Sequence, residues 1–238
     1  MDYSTIDSFN TKQLKDIANE LKIKYTGSKT DMINFIRAER DILYKRHEQL
    51  GDSGKDATTF LVKVKNNDDT ESLYAMKSFK AKKSGDRILR EAEIQRMLST
   101  HGICPRVIDV ETTLKSKYIV MEKLDRHLID VNGEKKVPLT YQKQLVKLYK
   151  SMDELGIFHG DANPLNYMIK KSKLYVIDFG MSKDINPALL KKLKTDKPNL
   201  HIMTLGMILK LKNMDYPKES YEFLVKQLTD EQRKDFDL

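Results

Sequence analysis

The sequence predicts an α+β protein of two lobes preceded by a small helical module, and three features of its 238 residues carry that expectation. Two short segments of helical apolar spacing open the chain, β-rich runs separated by turn chemistry follow, and helical patterning dominates from residue 141 onward. Composition allows a packed core: 39% hydrophobic and 33% charged residues, with 10 Gly and 6 Pro, exclude collagen-like and wholly disordered classes.

The first helical segment carries Leu14, Ile17, Ala18 and Leu21 on one stripe, and the second carries Met32, Ile33 and Ile36. Between them, Tyr25-Thr26-Gly27-Ser28 breaks the pattern, and Ser28 stands where its hydroxyl can cap the second helix. Phe60–Lys65 and Leu73–Phe79 read as strands joined by Asn66-Asn67-Asp68-Asp69-Thr70, which makes a hairpin. A helix is expected over Asp86–Thr100, then strands at Val107–Val110 and Tyr118–Glu122. A helix over Tyr141–Leu155 and short strands at Tyr167–Ile169 and Leu174–Ile177 precede a mostly helical end.

Cys104 is the only cysteine, so no intrachain disulfide or cysteine-based zinc site can form, and a reducing compartment is expected. Residues Met1–Asn10 carry Asp2 and Asp7 and lack the basic and apolar regions of a signal peptide. The longest apolar stretch, Ile202–Leu211, is interrupted by Lys210 and falls short of the roughly 20 residues of a membrane span. The expectation is therefore an intracellular protein, cytoplasmic or nuclear, without a membrane partner. The net charge is +8, yet residues 1–50 hold nine Lys/Arg against eight Asp/Glu, so the excess lies further along. A Lys-rich solvated surface is the simple reading, and a polyanionic partner the alternative.

Four separated pieces suit the handling of nucleotide phosphates. Gly51 and Gly54, in a turn heading the hairpin, would let backbone amides approach phosphate oxygens. Lys77 lies in a strand and can neutralise phosphate charge if a carboxylate holds it. Glu91 and Glu93 are the two candidates for that carboxylate, and because they point about 200° apart on a helix only one can face the strand. Further on, Phe158-His-Gly-Asp-Ala-Asn-Pro-Leu-Asn166 and Leu174-Tyr-Val-Ile-Asp-Phe-Gly180 supply Asp161, Asn166 and Asp178. Asp161 would orient and deprotonate an attacking hydroxyl, while Asn166 and Asp178 would offer oxygen ligands to Mg2+.

These pieces, in this order, resemble the protein kinase signature of glycine-rich loop, strand lysine, H-R-D-x-x-x-x-N and D-F-G over about residues 44–212. Within that superfamily the chain is most similar to compact members: RIO kinases, the small kinase subunit of the KEOPS complex, and serine/threonine kinases of large DNA viruses. The run Asp161-Ala-Asn-Pro-Leu-Asn-Tyr-Met168 carries the viral likeness, which would place the protein in a host cell. The resemblance selects Glu91 as the partner of Lys77, from the spacing of Arg90-Glu-Ala92 to Gly102-Ile103 and Val107–Val110. It also implies that Tyr118–Leu124 holds adenine, with Met121 as gatekeeper and Glu122 to Leu124 offering backbone groups.

Departures from the pattern are equally specific. Ala57 stands in place of a third loop glycine, and Gly160 in place of the arginine that reads a phosphorylated activation loop. Asn163 replaces the lysine usual two residues after the catalytic Asp. Sixty residues follow Asp178 without an A-P-E motif, which implies a bilobal protein kinase-like fold with a truncated C-terminal lobe. Leu14 to Ile36 is similar to the SAP motif, which implies DNA as a partner through Lys24, Lys29 and the second helix's N-terminus; docking to protein is the alternative.

The domains expected are a SAP-like module over 1–41 and a kinase-like domain over 42–238, divided into lobes at 42–124 and 125–238. The function expected is ATP- and Mg2+-dependent phosphoryl transfer to a Ser/Thr hydroxyl of a protein, with Asp161, Lys77 and Glu91 as catalytic residues. The alternatives are a pseudokinase scaffold, a DNA-associated ATP-binding protein, and an ATPase or small-molecule kinase.

Overall fold

A computed structural model describes residues 6–24, 27–65, 70–113, 116–129 and 135–238, and Asp2, Tyr25-Thr26 and Asn66–Asp69 lie outside them. The chain divides into two compact units. The first runs through Ala92 and resumes over Val107–Lys123, and the second comprises Glu93–Arg106 and Leu124–Leu238.

In the first unit, α1 (Thr11–Glu20) starts at Asn10, whose side chain and that of Gln13 exchange bonds with each other's amides. The helix α2 (Lys29–Leu43) starts at Ser28, whose hydroxyl accepts the Asp31 amide at 3.2 Å, as the sequence predicts. Asp31 closes the cap in return, its carboxylate accepting the Ser28 hydroxyl at 2.7 Å and the Ser28 amide at 2.8 Å, and these two bonds lower its pKa. Each helix alone would be marginal. They bury Leu14, Ile17, Met32, Ile33 and Ile36 against one another and Ile6.

The sheet contains β1 (Arg46–Gln49), β2 (Ala57–Lys65), β3 (Glu71–Phe79), β4 (Val107–Thr112) and β5 (Lys117–Glu122), in the antiparallel order β1-β2-β3-β5-β4. The expected hairpin is present, in a register that sets Thr59 opposite Lys77 and Lys65 opposite Glu71. Strand β1 has no counterpart in the sequence reading, because Arg-His-Glu-Gln is exposed throughout and shows no apolar alternation. Period-two alternation sorts the other strands into two faces. Val62, Met76, Tyr118 and Val120 pack with Tyr44 on one side; Phe79, Val110, Ile119 and Met121 pack with Ile88 and Ala92 of α3 (Gly85–Thr100) on the other.

One salt-bridge network joins the helix pair to this sheet. Arg40, 1% exposed near the end of α2, donates from Nε to Asp109 at 2.9 Å, from Nη1 to Glu111 at 3.1 Å, and from Nη2 to Asp109 and the Val110 carbonyl. The remaining carboxylate capacity is taken by backbone amides: Asp109 accepts from Val110 and Glu111 from Thr112 and Thr113. Asp109 in turn raises the guanidinium's pKa against the pull of burial.

The second unit is built on α4 (Leu139–Glu154), whose Tyr141, Leu145, Leu148, Tyr149 and Met152 recur at helical spacing and enter one large core. Against it lie β7 (Ile157–Phe158), which pairs with β10 (Lys183–Asp184), and the sheet of β6 (Arg126–His127), β8 (Tyr167–Lys170) and β9 (Lys173–Val176). Helices α5 (Pro187–Leu193), α6 (Thr204–Asn213), α7 (Glu222–Val225) and α8 (Asp230–Asp235) follow, with a π-helical turn over Asn199–Met203 leading into α6. Cys104 is buried and its thiol donates to the Gln95 carbonyl at 3.0 Å, with burial raising its pKa. Among the described residues no helix is long and apolar enough to cross a membrane.

Candidate active site

The sheet unit holds the predicted lysine and its partner. Lys77 lies opposite Ile119 on β3, on the face that looks toward α3, and its Nζ meets Glu91 Oε1 at 2.5 Å. Glu91 is 2% exposed and Lys77 14%, so the ion pair is largely withdrawn from water. Glu93 is exposed, as helix phase requires once Glu91 faces the strand. The second Glu91 oxygen accepts no hydrogen bond and lies 3.8 Å from Lys83 Nζ. Both lysines stand over the Phe79 ring, at 5.3 and 5.8 Å from its centroid. Lys83 is missing from the sequence reading because it sits outside any regular element.

Gly51 and Gly54 lie in the loop between β1 and β2. Gly51 adopts φ +70°, the region that favours glycine, and its carbonyl accepts from the Gln49 side chain at 2.7 Å. The Gly54 amide donates to the Ala57 carbonyl at 2.9 Å and its own carbonyl accepts from Lys80 Nζ at 2.9 Å. Within this turn the Gly54 amide is taken by the Ala57 carbonyl. Ala57, in place of a third glycine, is already the first residue of β2 and buried. Met121 is buried opposite Ala75 at the end of β5, Glu122 follows it, and Leu124 opens the second unit.

In that second unit, Asp161, Asn166 and Asp178 are held by one hydrogen-bonded framework. Asn166 Nδ2 donates to Asp161 Oδ2 at 2.9 Å, and the Asn163 amide donates to Asp161 Oδ1 at 3.1 Å. The Asn163 side chain accepts the Leu165 amide and so caps the 3-10 turn over Pro164–Asn166. The segment before Asp178 is fixed by the Ile177 amide donating to the Asn166 carbonyl at 2.9 Å. His159, fully buried, places Nε2 at 3.1 Å from the Ile177 carbonyl and packs edge-on against Phe179 at 5.3 Å. Burial lowers its pKa, so the ring is neutral at pH 7. Asp178 itself has φ +64°, an uncommon conformation for a non-glycine residue, and its carboxylate accepts the Gly180 amide at 3.3 Å.

Gly160 occupies φ +82°, and a Cβ there would stand 2.8 Å from the Met181 carbonyl oxygen. An arginine at this position has neither the backbone conformation nor the room. Beneath the loop, buried Asn199 accepts the His159 amide at 3.0 Å and donates to the Ile157 carbonyl at 2.7 Å. Asp153 of α4 accepts both the side-chain and main-chain nitrogens of Asn199 at 2.8 Å. Neither residue stands out in sequence, because the contact joins positions 46 apart.

Asn166 and Asp178 offer an amide carbonyl and a carboxylate, hard oxygen donors of the type Mg2+ prefers. Among the described residues no group of three or more His, Cys, Asp or Glu forms a complete metal cage.

Comparison with known proteins identifies the family. The protein kinase domain model matches residues 44–197 and leaves the α1–α2 pair outside. The KEOPS complex subunit Bud32 of Pyrococcus abyssi is 32% identical over 117 residues, covering 46% of this chain and 50% of the relative. A protein of Acanthamoeba polyphaga mimivirus named as a serine/threonine-protein kinase is 41% identical over 69 residues, 29% of this chain and 13% of that one. The serine/threonine-protein kinase MPS1 of Saccharomyces cerevisiae is 29% identical over 153 residues, 60% of this chain and 19% of the relative. The chain thus spans half or less of the length of these relatives. With a kinase-domain match across well over half of its residues, the chain belongs to the protein kinase family.

Proposed function

We propose that the protein is an ATP-dependent serine/threonine protein kinase that works with Mg2+. The observation that carries this reading is the Lys77–Glu91 pair. Replacing a buried ion pair by apolar residues is often neutral or stabilising, so an ion pair kept inside a hydrophobic cluster, with one carboxylate oxygen left without a hydrogen bond, calls for a functional reason. Holding an ammonium ready for phosphate oxygens supplies that reason.

When bound, ATP supplies the γ-phosphoryl group and magnesium neutralises its oxygens. Lys77 binds α- and β-phosphate oxygens, and Glu91 fixes its direction. Met121, Glu122 and Leu124 would hold the adenine, and the Gly51–Gly54 loop would hold the phosphates. Asp161, steered by Asn166 Nδ2, accepts the proton of the acceptor hydroxyl, while Asn166 Oδ1 and Asp178 hold the ion. Purified protein with labelled ATP, Mg2+ and a mixed Ser/Thr peptide acceptor tests this directly. Asp161→Asn is expected to abolish phosphopeptide formation while leaving the thermal unfolding transition in place. Full transfer by that variant would overturn the assignment.

For the α1–α2 pair a packing role has the stronger support. Arg40 ties it to β4, Lys29 Nζ donates to the Asp7 carbonyl at 3.3 Å, and the Asp31 carboxylate sits at the helix N-terminus where the SAP resemblance would put a DNA phosphate. A salt-independent failure to shift duplex DNA is expected. The name of the Pyrococcus relative speaks of a complex subunit, and by that likeness a protein partner besides the acceptor belongs to this reading. An intracellular, reducing location fits the buried free thiol of Cys104.

A further inference from the structure

The segment that carries Asp161, from His159 to Asn166, contains no Lys or Arg. His159 is neutral, and Asn163 is a neutral amide whose oxygen caps a turn. The phosphoryl group whose transfer Asp161 would serve carries its charge on three equatorial oxygens, and catalysis of such a transfer is largely neutralisation of that charge. The structure supplies a cation from another element. Lys210, on α6, places Nζ 4.0 Å from Asp161 Oδ1, with its side chain 46% exposed and that of Asp161 33%.

This approach is built into the helix. Gly206 lies one turn before Lys210 on the same face, and a Cβ added there would come within 2.6 Å of the Ala162 Cβ. The bare backbone at Gly206 lets α6 press against the loop beside Asp161, and the next residue on that face is Lys210. The preceding π-helical turn is locked by Asp153 and Asn199, which fixes where α6 begins. Lys210 also sits in the last turn of α6, where the helix dipole favours a cation.

Resting on the kinase reading above, we infer that Lys210 is a catalytic residue that neutralises the transferring phosphoryl group, a charge delivered from α6 instead of from the loop. In the step it serves, the acceptor hydroxyl oxygen forms its bond to the γ-phosphorus as the bond from that phosphorus to the β,γ-bridging oxygen breaks. The electron pair of the broken bond leaves on the ADP oxygen, and the hydroxyl proton passes to the Asp161 carboxylate and then to solvent. Lys210 stands beside that carboxylate and meets the equatorial oxygens during the exchange.

The test uses the full chain with Lys210→Met and Lys210→Arg. Affinities for Mg-ADP and for Mg-ADP with aluminium fluoride, a mimic of the transferring group, are measured by calorimetry, and kcat and acceptor KM with the mixed Ser/Thr peptides. For Lys210→Met, Mg-ADP affinity is expected within twofold of wild type, the fluoride complex roughly tenfold weaker, kcat roughly 100-fold lower and acceptor KM unchanged, with Arg restoring most of the loss. Unchanged fluoride affinity with kcat within threefold would overturn the inference, as would a rise in acceptor KM alone, which would make Lys210 a peptide-recognition residue. A wild-type chain that transfers no phosphate yet loses fluoride affinity in Lys210→Met would refute the kinase reading and leave the placement of Lys210 standing. Absence of any nucleotide binding would sink both.

Discussion

The first unit holds two buried pairs of opposite charge, and they are finished differently. Around Arg40, the guanidinium's donors and both carboxylates of Asp109 and Glu111 close on one another and on main-chain groups. Around Glu91, Lys77 is partly exposed, one carboxylate oxygen is left without a hydrogen bond and a second lysine waits at 3.8 Å. A closed network fixes structure, since every change in it strands a charge; an open one can exchange a partner. Burial alone does not separate the two: every carboxylate oxygen of Asp109 and Glu111 accepts a hydrogen bond, although the buried Arg37 Nε stays without one 3.7 Å from Glu111, whereas one Glu91 oxygen accepts none.

Arg40→Met should break the comparison most visibly. It strands two buried carboxylates and is expected to cost about 3–5 kcal/mol in denaturant unfolding, with nucleotide affinity of the remaining folded protein unchanged. Lys77→Met should show the opposite profile. Phosphoryl transfer is expected to vanish, while Lys83 takes over part of the Glu91 charge and holds the stability loss to roughly 1–2 kcal/mol. A loss for Lys77→Met as large as that for Arg40→Met would erase the distinction.

His159 extends the contrast to a buried group that carries no charge. Its folded-state pKa lies below the ordinary 6.5, so the unfolded chain takes up the proton first. Stability is therefore full above pH 6.5 and falls as pH drops toward the folded-state value. His159→Gln is expected to flatten that part of the profile, read as unfolding midpoints between pH 7.5 and 5. Asp31 gives the smallest effect, being exposed. Its lowered pKa contributes stability above the ordinary carboxylate value that is lost as pH falls through the folded-state value. Asp31→Asn should lower the melting temperature slightly at pH 7, by an amount that shrinks as pH falls below the ordinary carboxylate value.

The open pair was legible in the sequence and the closed one was not. Lys77 shows itself as a charge in a strand of apolar neighbours, and helix phase forces a choice between Glu91 and Glu93 that the resemblance resolves. Arg40 looks like any residue of an amphipathic helix, and Asp109 and Glu111, two apart on β4, look like its solvated face. Their meeting spans about seventy positions, and local periodicity carries no information at that range. Lys210 stayed hidden for the same reason, and Lys83 because it lies outside any element. The turn at Gly54 is legible as glycine in turn chemistry, but a glycine pattern does not reveal which carbonyl its amide meets.

Cys104 has a practical consequence. A thiol that donates to a main-chain carbonyl inside the core, with its ionisation suppressed, is a poor target for maleimides and other alkylating labels. One cysteine engineered onto an exposed position such as Met181 would therefore be tagged selectively in the natural background, without first removing the native thiol. Fluorophores or spin labels placed in this way would report on the surroundings of the segment after Asp178.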